Sequence, residues 1–371
     1  TIALLDVYLR SVFYDMFGDP VKNERGWEKI EFGDVIDVLT DYHANGSYEI
    51  LRDNVQLLNT PNYALMIRTM DLEDKNFTDN NIYVLKEYQS NVSLESILSE
   101  IEVVNILSNT DISVIPFLKN IEGNQYTIFR ERNLQLLPFI QGDIYDNNEI
   151  GGEKLINISN MLGKIVFNLK EYNKFPVWRT DIENNNRLGK KIEKLNILKN
   201  ELIVENKYPE LIEDIDKRID ICGEINKIKI DFSKYTWLNS HGDYSVIQLL
   251  FKENNISAVL DFARVSKLPI VWEIVRSYTQ SSISCKNANI DINEFIQYIN
   301  IFQQYIKLNE YDLENMLILY LNQLAPASYG YKEKEREDKG LYRFGRWRTK
   351  LAIHIFENYR EFSSIILKNC K

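Results

Sequence analysis

The 371-residue chain carries 54 acidic against 44 basic side chains, a formal net charge of −10 and a sequence pI near 5.1. That balance excludes a global positive field for nucleic acid, while 44% hydrophobic and 26% charged residues are enough for two or three packed, water-soluble units. No apolar run approaches the roughly 18–20 residues that span a bilayer, and Cys222, Cys285 and Cys370 have neither a disulfide framework nor a metal spacing, which fits a reducing cytoplasm with no membrane partner.

The chain begins at Thr1 rather than Met, which reads as a piece of a longer frame, and Thr1–Leu5 has no basic segment or cleavage site of a signal peptide. Leu4, Leu5, Tyr8, Leu9, Val12, Phe13 and Met16 recur at helical spacing, and Gly18, Asp19 and Pro20 stop that helix. Thr60, Pro61 and Asn62 form a turn before a strand over 63–69, and a second strand covers Ile82–Leu85 and ends in Lys86. Ser93 is placed to cap a helix running to Leu107. Strands are expected over 113–118, 126–129 and 134–140, and the polar, Gly-containing stretch 146–152 reads as a boundary between lobes. The charge-rich, periodic stretch 186–229 predicts long surface helices. Trp237–Leu238 and Ala258–Leu260 read as short strands on either side of a His-Gly-Asp segment, and from Val271 the chain is helical to its end. The order of elements is α+β with two lobes.

The segment Ser240-His241-Gly242-Asp243-Tyr244-Ser245-Val246-Ile247-Gln248, followed by an apolar strand and Asp261-Phe262, carries the chemistry. Phosphoryl transfer needs a group that orients the attacking hydroxyl and oxygen ligands that hold Mg²⁺ on a triphosphate. Asp243 suits the first task; Gln248 and Asp261 suit the second, since Mg²⁺ prefers hard oxygen donors. Asp243 and Gln248 are five positions apart, the spacing of the catalytic Asp and metal-binding Asn in protein kinases.

From about residue 80 onward the chain resembles the aminoglycoside phosphotransferase and choline kinase family, whose pattern is roughly H-G-D-x-H-x-x-N, a hydrophobic strand and I-D-F/W-D. His241, Gly242, Asp243, Asp261 and Phe262 match; Ser245 replaces the second His, and Gln248 the Asn, as in a spore-coat-kinase-like branch. The resemblance implies a two-lobed protein-kinase-like fold, with a small β-rich N-lobe over 80–145 and a mostly helical C-lobe over 146–371. It implies an ATP- and Mg²⁺-dependent phosphotransferase acting on a hydroxyl of a small molecule such as an aminoglycoside or amino alcohol. Asp243 would be catalytic and Gln248 and Asp261 would hold the metal. Lys86 would grip the α- and β-phosphates with Glu100 as its ion-pair partner, and Leu137 and Phe139, in the stretch 136–142, would form the hinge under the adenine. Glu273 is placed to brace the catalytic loop, and Tyr305, Glu310, Tyr311, Asp312, Tyr320 and Tyr331 would offer an acidic and aromatic lining suited to a cationic acceptor.

Residues 1–79 resemble something else. Phe13-Tyr14-Asp15-Met16-Phe17-Gly18-Asp19-Pro20, Gly26-Trp27-Glu28 and Phe32-Gly33-Asp34-Val35 are similar to a type I restriction specificity (S) subunit, from the end of its spacer helix into part of a target-recognition domain. This implies a fusion in which the S-like start replaces the first strands of the kinase lobe, so that an incomplete lobe would weaken activity. The alternative is a DNA-recognition component with an inert kinase part, against which the acidic balance argues.

Overall fold

The computed structural model describes residues 83–88, 92–120, 122–129, 132–177, 187–206, 208–331 and 339–371, all within a compact unit spanning Thr60–Lys371. The expectations for residues 1–79, including the S-like segment and its join to the kinase part, lie outside the described residues.

The first described layer is a three-stranded antiparallel sheet of β1 (Tyr83–Glu87), β2 (Thr127–Phe129) and β3 (Arg132–Pro138), in the order β1-β3-β2. Alternation along β1 decides what the sheet presents: Leu85 and Glu87 are exposed, while Lys86 and, just past the strand, Tyr88 turn inward. Register places buried Gln135 of β3 directly opposite Lys86. Helix α1 (Leu94–Leu107) starts where expected, at an extended Ser93 whose side chain accepts from the Ser96 N–H. It buries Ile97, Glu100, Ile101, Val104 and Leu107, a stripe at helical spacing in which Glu100 is the one charged member.

The expected strand over 113–118 is instead an extended connector. Val114 forms one isolated parallel bridge with Val259, and Leu118 N–H donates to Leu136 O at 2.8 Å. The segment crosses between two sheets, so neither offers it a continuous ladder. A second crossing follows β3. Asp143 exchanges both backbone hydrogen bonds with Phe251 (2.7 and 2.9 Å), and a Cβ on Gly142 would lie 3.0 Å from Leu250 Cβ and 3.1 Å from Phe251 O.

The helical half is built on α2 (Gly152–Leu169), α3 (Arg187–Glu205), α4 (Pro209–Ile225), α5 (Ile270–Ser281), α6 (Ile292–Phe302), α7 (Glu310–Leu324) and α8 (Lys339–Asn369). The charge-rich 186–229 stretch forms α3 and α4, yet α4 is not simply a surface helix. It buries Arg218 completely, with Nε donating to Thr349 Oγ1, Nη1 to the carbonyls of Leu324 and Ala325, and Nη2 to Gly345 O. Inside this half lie two strand pairs rather than one. β4 (Trp237–Ser240) pairs with β7 (Ser266–Pro269), a strand the sequence pattern does not announce, and β5 (Leu249–Lys252) forms a hairpin with β6 (Asn255–Val259). Helix α5 is buried along almost its whole length against α7 and β4, and thereby backs the loop between β4 and β5. The three cysteines are separate buried thiols. Among the described residues no helix is long and apolar enough to cross a membrane.

Candidate active site

The loop from β4 to β5 is shaped by one glycine and one histidine. Gly242 has φ +80°, and a Cβ there would meet Arg264 O at 1.9 Å, so no side chain fits. His241, fully buried, spans the loop: Nε2 donates to Leu260 O at 2.8 Å and Nδ1 accepts from the Asp243 N–H at 3.3 Å. With the Asp243 N–H directed at Nδ1, the donated proton is the one on Nε2. The ring stacks at a tilt on Phe262, 4.6 Å between centroids. The histidine therefore ties the start of the loop to the end of β6, where Asp261 sits.

Two residues of α5, one turn apart, hold the next part of the loop. Glu273 Oε1 accepts from the Tyr244 N–H at 3.0 Å, the bracing contact expected of it. Arg276, which the sequence reading passed over, donates Nη2 to Asp243 Oδ1 and Nη1 to Tyr244 O at 3.0 Å. Their spacing of three along a helix was the available signal. Tyr244 anchors the loop from below, its hydroxyl donating to Ile158 O of α2 at 2.9 Å. Asp243 keeps a partly exposed carboxylate, with 28% of its side chain accessible.

Lys86 reaches Glu100 Oε1 and Oε2 at 2.7 and 2.9 Å and Asp261 Oδ1 at 2.9 Å. Burial pushes its ammonium down, but the Glu100 and Asp261 carboxylates more than offset this and hold the pKa above the ordinary lysine value. The converse holds at Asp261: burial pushes the carboxyl up, while Lys86 foremost, with the Ala263 N–H, keeps it below the usual range. Tyr88 completes this cluster. Its hydroxyl contacts both Glu100 and Gln135, and burial beside the Glu100 carboxylate pushes the phenol far up, so it stays protonated. A phenol has one proton, which goes to the carboxylate; a Gln135 amide turned to present Nε2 to the phenol oxygen also satisfies that otherwise unpartnered nitrogen.

Asp261 has φ +55°, a left-handed conformation that aspartate tolerates better than most residues. Leu260 N–H donates to the Gln248 carbonyl at 2.9 Å, which places Gln248 beside Asp261 at the open end of the β5–β6 hairpin. Lys86, Glu100 and Asp261 are thus in direct contact, with Gln248 and the His241–Asp243 loop held to the Leu260–Phe262 segment. Leu137 and Phe139 lie apart from the ion pairs, half-buried at the end of β3 and in the crossing after it.

As a cation site, Asp261 offers an ionised carboxylate and Gln248 an amide. Among the described residues no group of three or more His, Cys, Asp or Glu could hold a metal. Two protein oxygens fit a Mg²⁺ that keeps waters and arrives with phosphate ligands, and do not fit a permanently caged ion.

The acidic and aromatic residues expected to line an acceptor site have other tasks. The Tyr305 ring lies against Gly163; Glu310 pairs with Lys371; Tyr311 accepts from the Asp231 N–H; Asp312 closes the capping box of α7. Tyr320 and Tyr331 are buried, bonded to Thr279 and to Asp214.

No family model matches the chain, and no curated protein sequence is similar to it. Solved structures do match. An aminoglycoside phosphotransferase from Alicyclobacillus acidocaldarius aligns with TM-score 0.54 and 11% identity over 78% of this chain and 86% of that one. A microcompartment-associated aminopropanol kinase aligns at 0.50 and 10% over 77% and 88%. A spectinomycin phosphotransferase, solved with ADP and spectinomycin, aligns at 0.50 and 13% over 76% and 87%. At these identities the likeness establishes the fold: the chain has the two-lobed kinase-like architecture of small-molecule phosphotransferases.

Proposed function

We propose that the chain is an ATP- and Mg²⁺-dependent phosphotransferase acting on a hydroxyl of a small molecule. The observation that carries this reading is the convergence on one spot of Lys86 from β1, Glu100 from α1 and Asp261 from the end of β6, next to the His241–Asp243 loop. The three charged groups are scattered over 175 positions of sequence, and ordinary packing gives no reason for a lysine and two carboxylates to meet at a partly accessible site.

In this reading Lys86, oriented by Glu100 and Tyr88, binds the α- and β-phosphates, while Leu137 and Phe139 lie against the adenine. Asp261 and Gln248 would hold Mg²⁺, which when bound neutralises phosphate charge. Asp243, fixed by Arg276, orients the acceptor O–H and takes its proton. The acceptor oxygen forms a bond to the γ-phosphorus as the bond from that phosphorus to the β–γ bridging oxygen breaks, and ADP departs with the electron pair. The Arg276 contact leaves the second carboxylate oxygen of Asp243 for the acceptor.

The test is nucleotide binding by the full chain, followed by ADP release with a panel of aminoglycosides, choline, ethanolamine, homoserine and sugars. Asp243→Asn should lower turnover by about 10²–10⁴-fold with little change in ATP affinity. Full activity in that variant would remove Asp243 from the mechanism, and failure to bind Mg·ATP would remove the phosphotransferase reading.

A further inference from the structure

The reading above leaves the acceptor open, and the helical half contains a charge it does not use. Arg218, Arg276, Tyr320 and Tyr331 all lie within electrostatic reach of Arg348. Two of the three arginines have partners. Arg218 donates to Thr349 and three backbone carbonyls, and Arg276 to Asp243 and Tyr244 O. Arg348 differs. It is half-buried on α8, its Nε is shielded from solvent, and among the described residues that nitrogen has no hydrogen-bond partner. Its guanidinium lies 5.8 Å from the centroid of the Phe344 ring, one turn earlier on the same helix. Burial lowers its pKa to about 10, which still leaves it protonated at neutral pH.

Among the described residues no carboxylate faces Arg348, and an arginine cannot relieve the cost of a partly buried charge by losing its proton. Position supplies the rest. Tyr320 bonds to Thr279, one turn beyond Arg276 on α5, and Arg276 grips the carboxylate of Asp243. Arg348 is therefore within electrostatic reach of the arginine that holds the residue assigned to the acceptor hydroxyl. The carboxylates expected to attract a cationic acceptor, Glu310 and Asp312, are spent on Lys371 and on a helix cap.

Resting on the phosphotransferase reading, we propose that Arg348 is the anion subsite of the acceptor pocket, so that the acceptor is an alcohol bearing an oxyanion, a carboxylate or a phosphate ester. The planar guanidinium suits either group through paired N–H donors. The anion would anchor the molecule at Arg348 with its hydroxyl toward Asp243.

The experiment melts the full chain against millimolar inorganic phosphate, acetate and tetramethylammonium, for wild type, Arg348→Gln and Arg348→Lys. An anion that fills the subsite should raise the wild-type Tm by mass action. Phosphate alone doing so points to a phosphate ester, acetate alone to a carboxylate. Arg348→Gln should abolish the rise while melting close to wild type in anion-free buffer, since it removes an unpaired charge at the loss of one ring contact, that to Phe344. Arg348→Lys should keep a reduced rise. The proposal is overturned if neither anion raises the Tm, if tetramethylammonium alone does, or if the rise survives in Arg348→Gln and so belongs to another site. A separate titration of the wild-type chain with Mg·ATP reports on the phosphotransferase reading, so the two can fail independently.

Discussion

Replacing Gly242 by alanine is the smallest change that tests how the loop is built. Two costs follow from its surroundings. At φ +80° an L-residue pays about 1–2 kcal/mol for left-handed backbone. The new Cβ would also stand 1.9 Å from Arg264 O, whereas real Cβ atoms essentially never come within 3.0 Å of such a neighbour. Something must move by about 1.1 Å, the difference of those two distances. Overpacking of this kind costs about 1–3 kcal/mol. The sum is about 2–5 kcal/mol, or a fall in Tm of roughly 3–6 °C for a protein of this size. The movement cannot be local. Arg264 lies between Asp261 and β7, so relief either draws Asp243 away from Asp261 or loosens the β4–β7 pair. Gly242→Ala should therefore lose turnover beyond what reduced stability accounts for, measured at a temperature where circular dichroism shows it fully folded. A variant that melts within about 1 °C of wild type and turns over normally would refute the steric argument.

Other outcomes follow from the same site. Asp261→Ala should abolish the Mg²⁺-dependent part of nucleotide protection in thermal melts; unchanged protection would mean that the metal is held elsewhere. Gln248→Asn should be tolerated, because it retains an amide oxygen at the hairpin end, and loss of Mg²⁺ dependence in that variant would count against a shared site. The ion pair has a defined pH window. Asp261, with its folded pKa lowered, contributes stability above the ordinary carboxylate value and loses it as pH falls through the lower folded value. Lys86, with its pKa raised, contributes below the ordinary lysine value and loses it as pH climbs through the higher folded one. The Tm difference between wild type and Asp261→Asn should hence stay level from about pH 5 to 9 and shrink below about pH 4; a difference that drifts across the middle of that range would contradict the pairing.

What the sequence disclosed was what lies close together along it. His241, Gly242, Asp243, Gln248 and Asp261 fall within one short stretch, and the chemistry of hard oxygen donors is readable from residue types. Lys86 with Glu100 could be proposed because a strand lysine and a helix glutamate follow in order, and their contact at 2.7 Å agrees. Tertiary pairings were not legible. Arg276 reaches Asp243 across 33 positions, and its one local signal, lying three positions after Glu273, does not say which loop it meets. β7 has only four residues and gains its strand character from β4. The stretch 113–118 has strand composition but spans two sheets. The tyrosines and carboxylates of α7 looked like a lining because composition cannot say which way a residue faces, and the fold spends them on caps and cross-links.

The two crossings between the sheet and the helical half set where the molecule can pivot. One strap is clamped at both ends, by Val114 on Val259 and by Leu118 on Leu136. The other is clamped from Asp143 onward by Phe251, and again at Asn148, whose side chain donates to Thr279 O and Ser282 O. That leaves Phe139–Gln141 and the few residues between Val114 and Leu118 to absorb any rotation of β1–β3. A hinge axis through those two short spans would swing Lys86 toward or away from Asp261 while leaving the Asp243 loop still. Opening the cleft would then break the Lys86–Asp261 contact at its centre and also disturb its far side, where α1 packs on α2 and Asp111 pairs with Lys164.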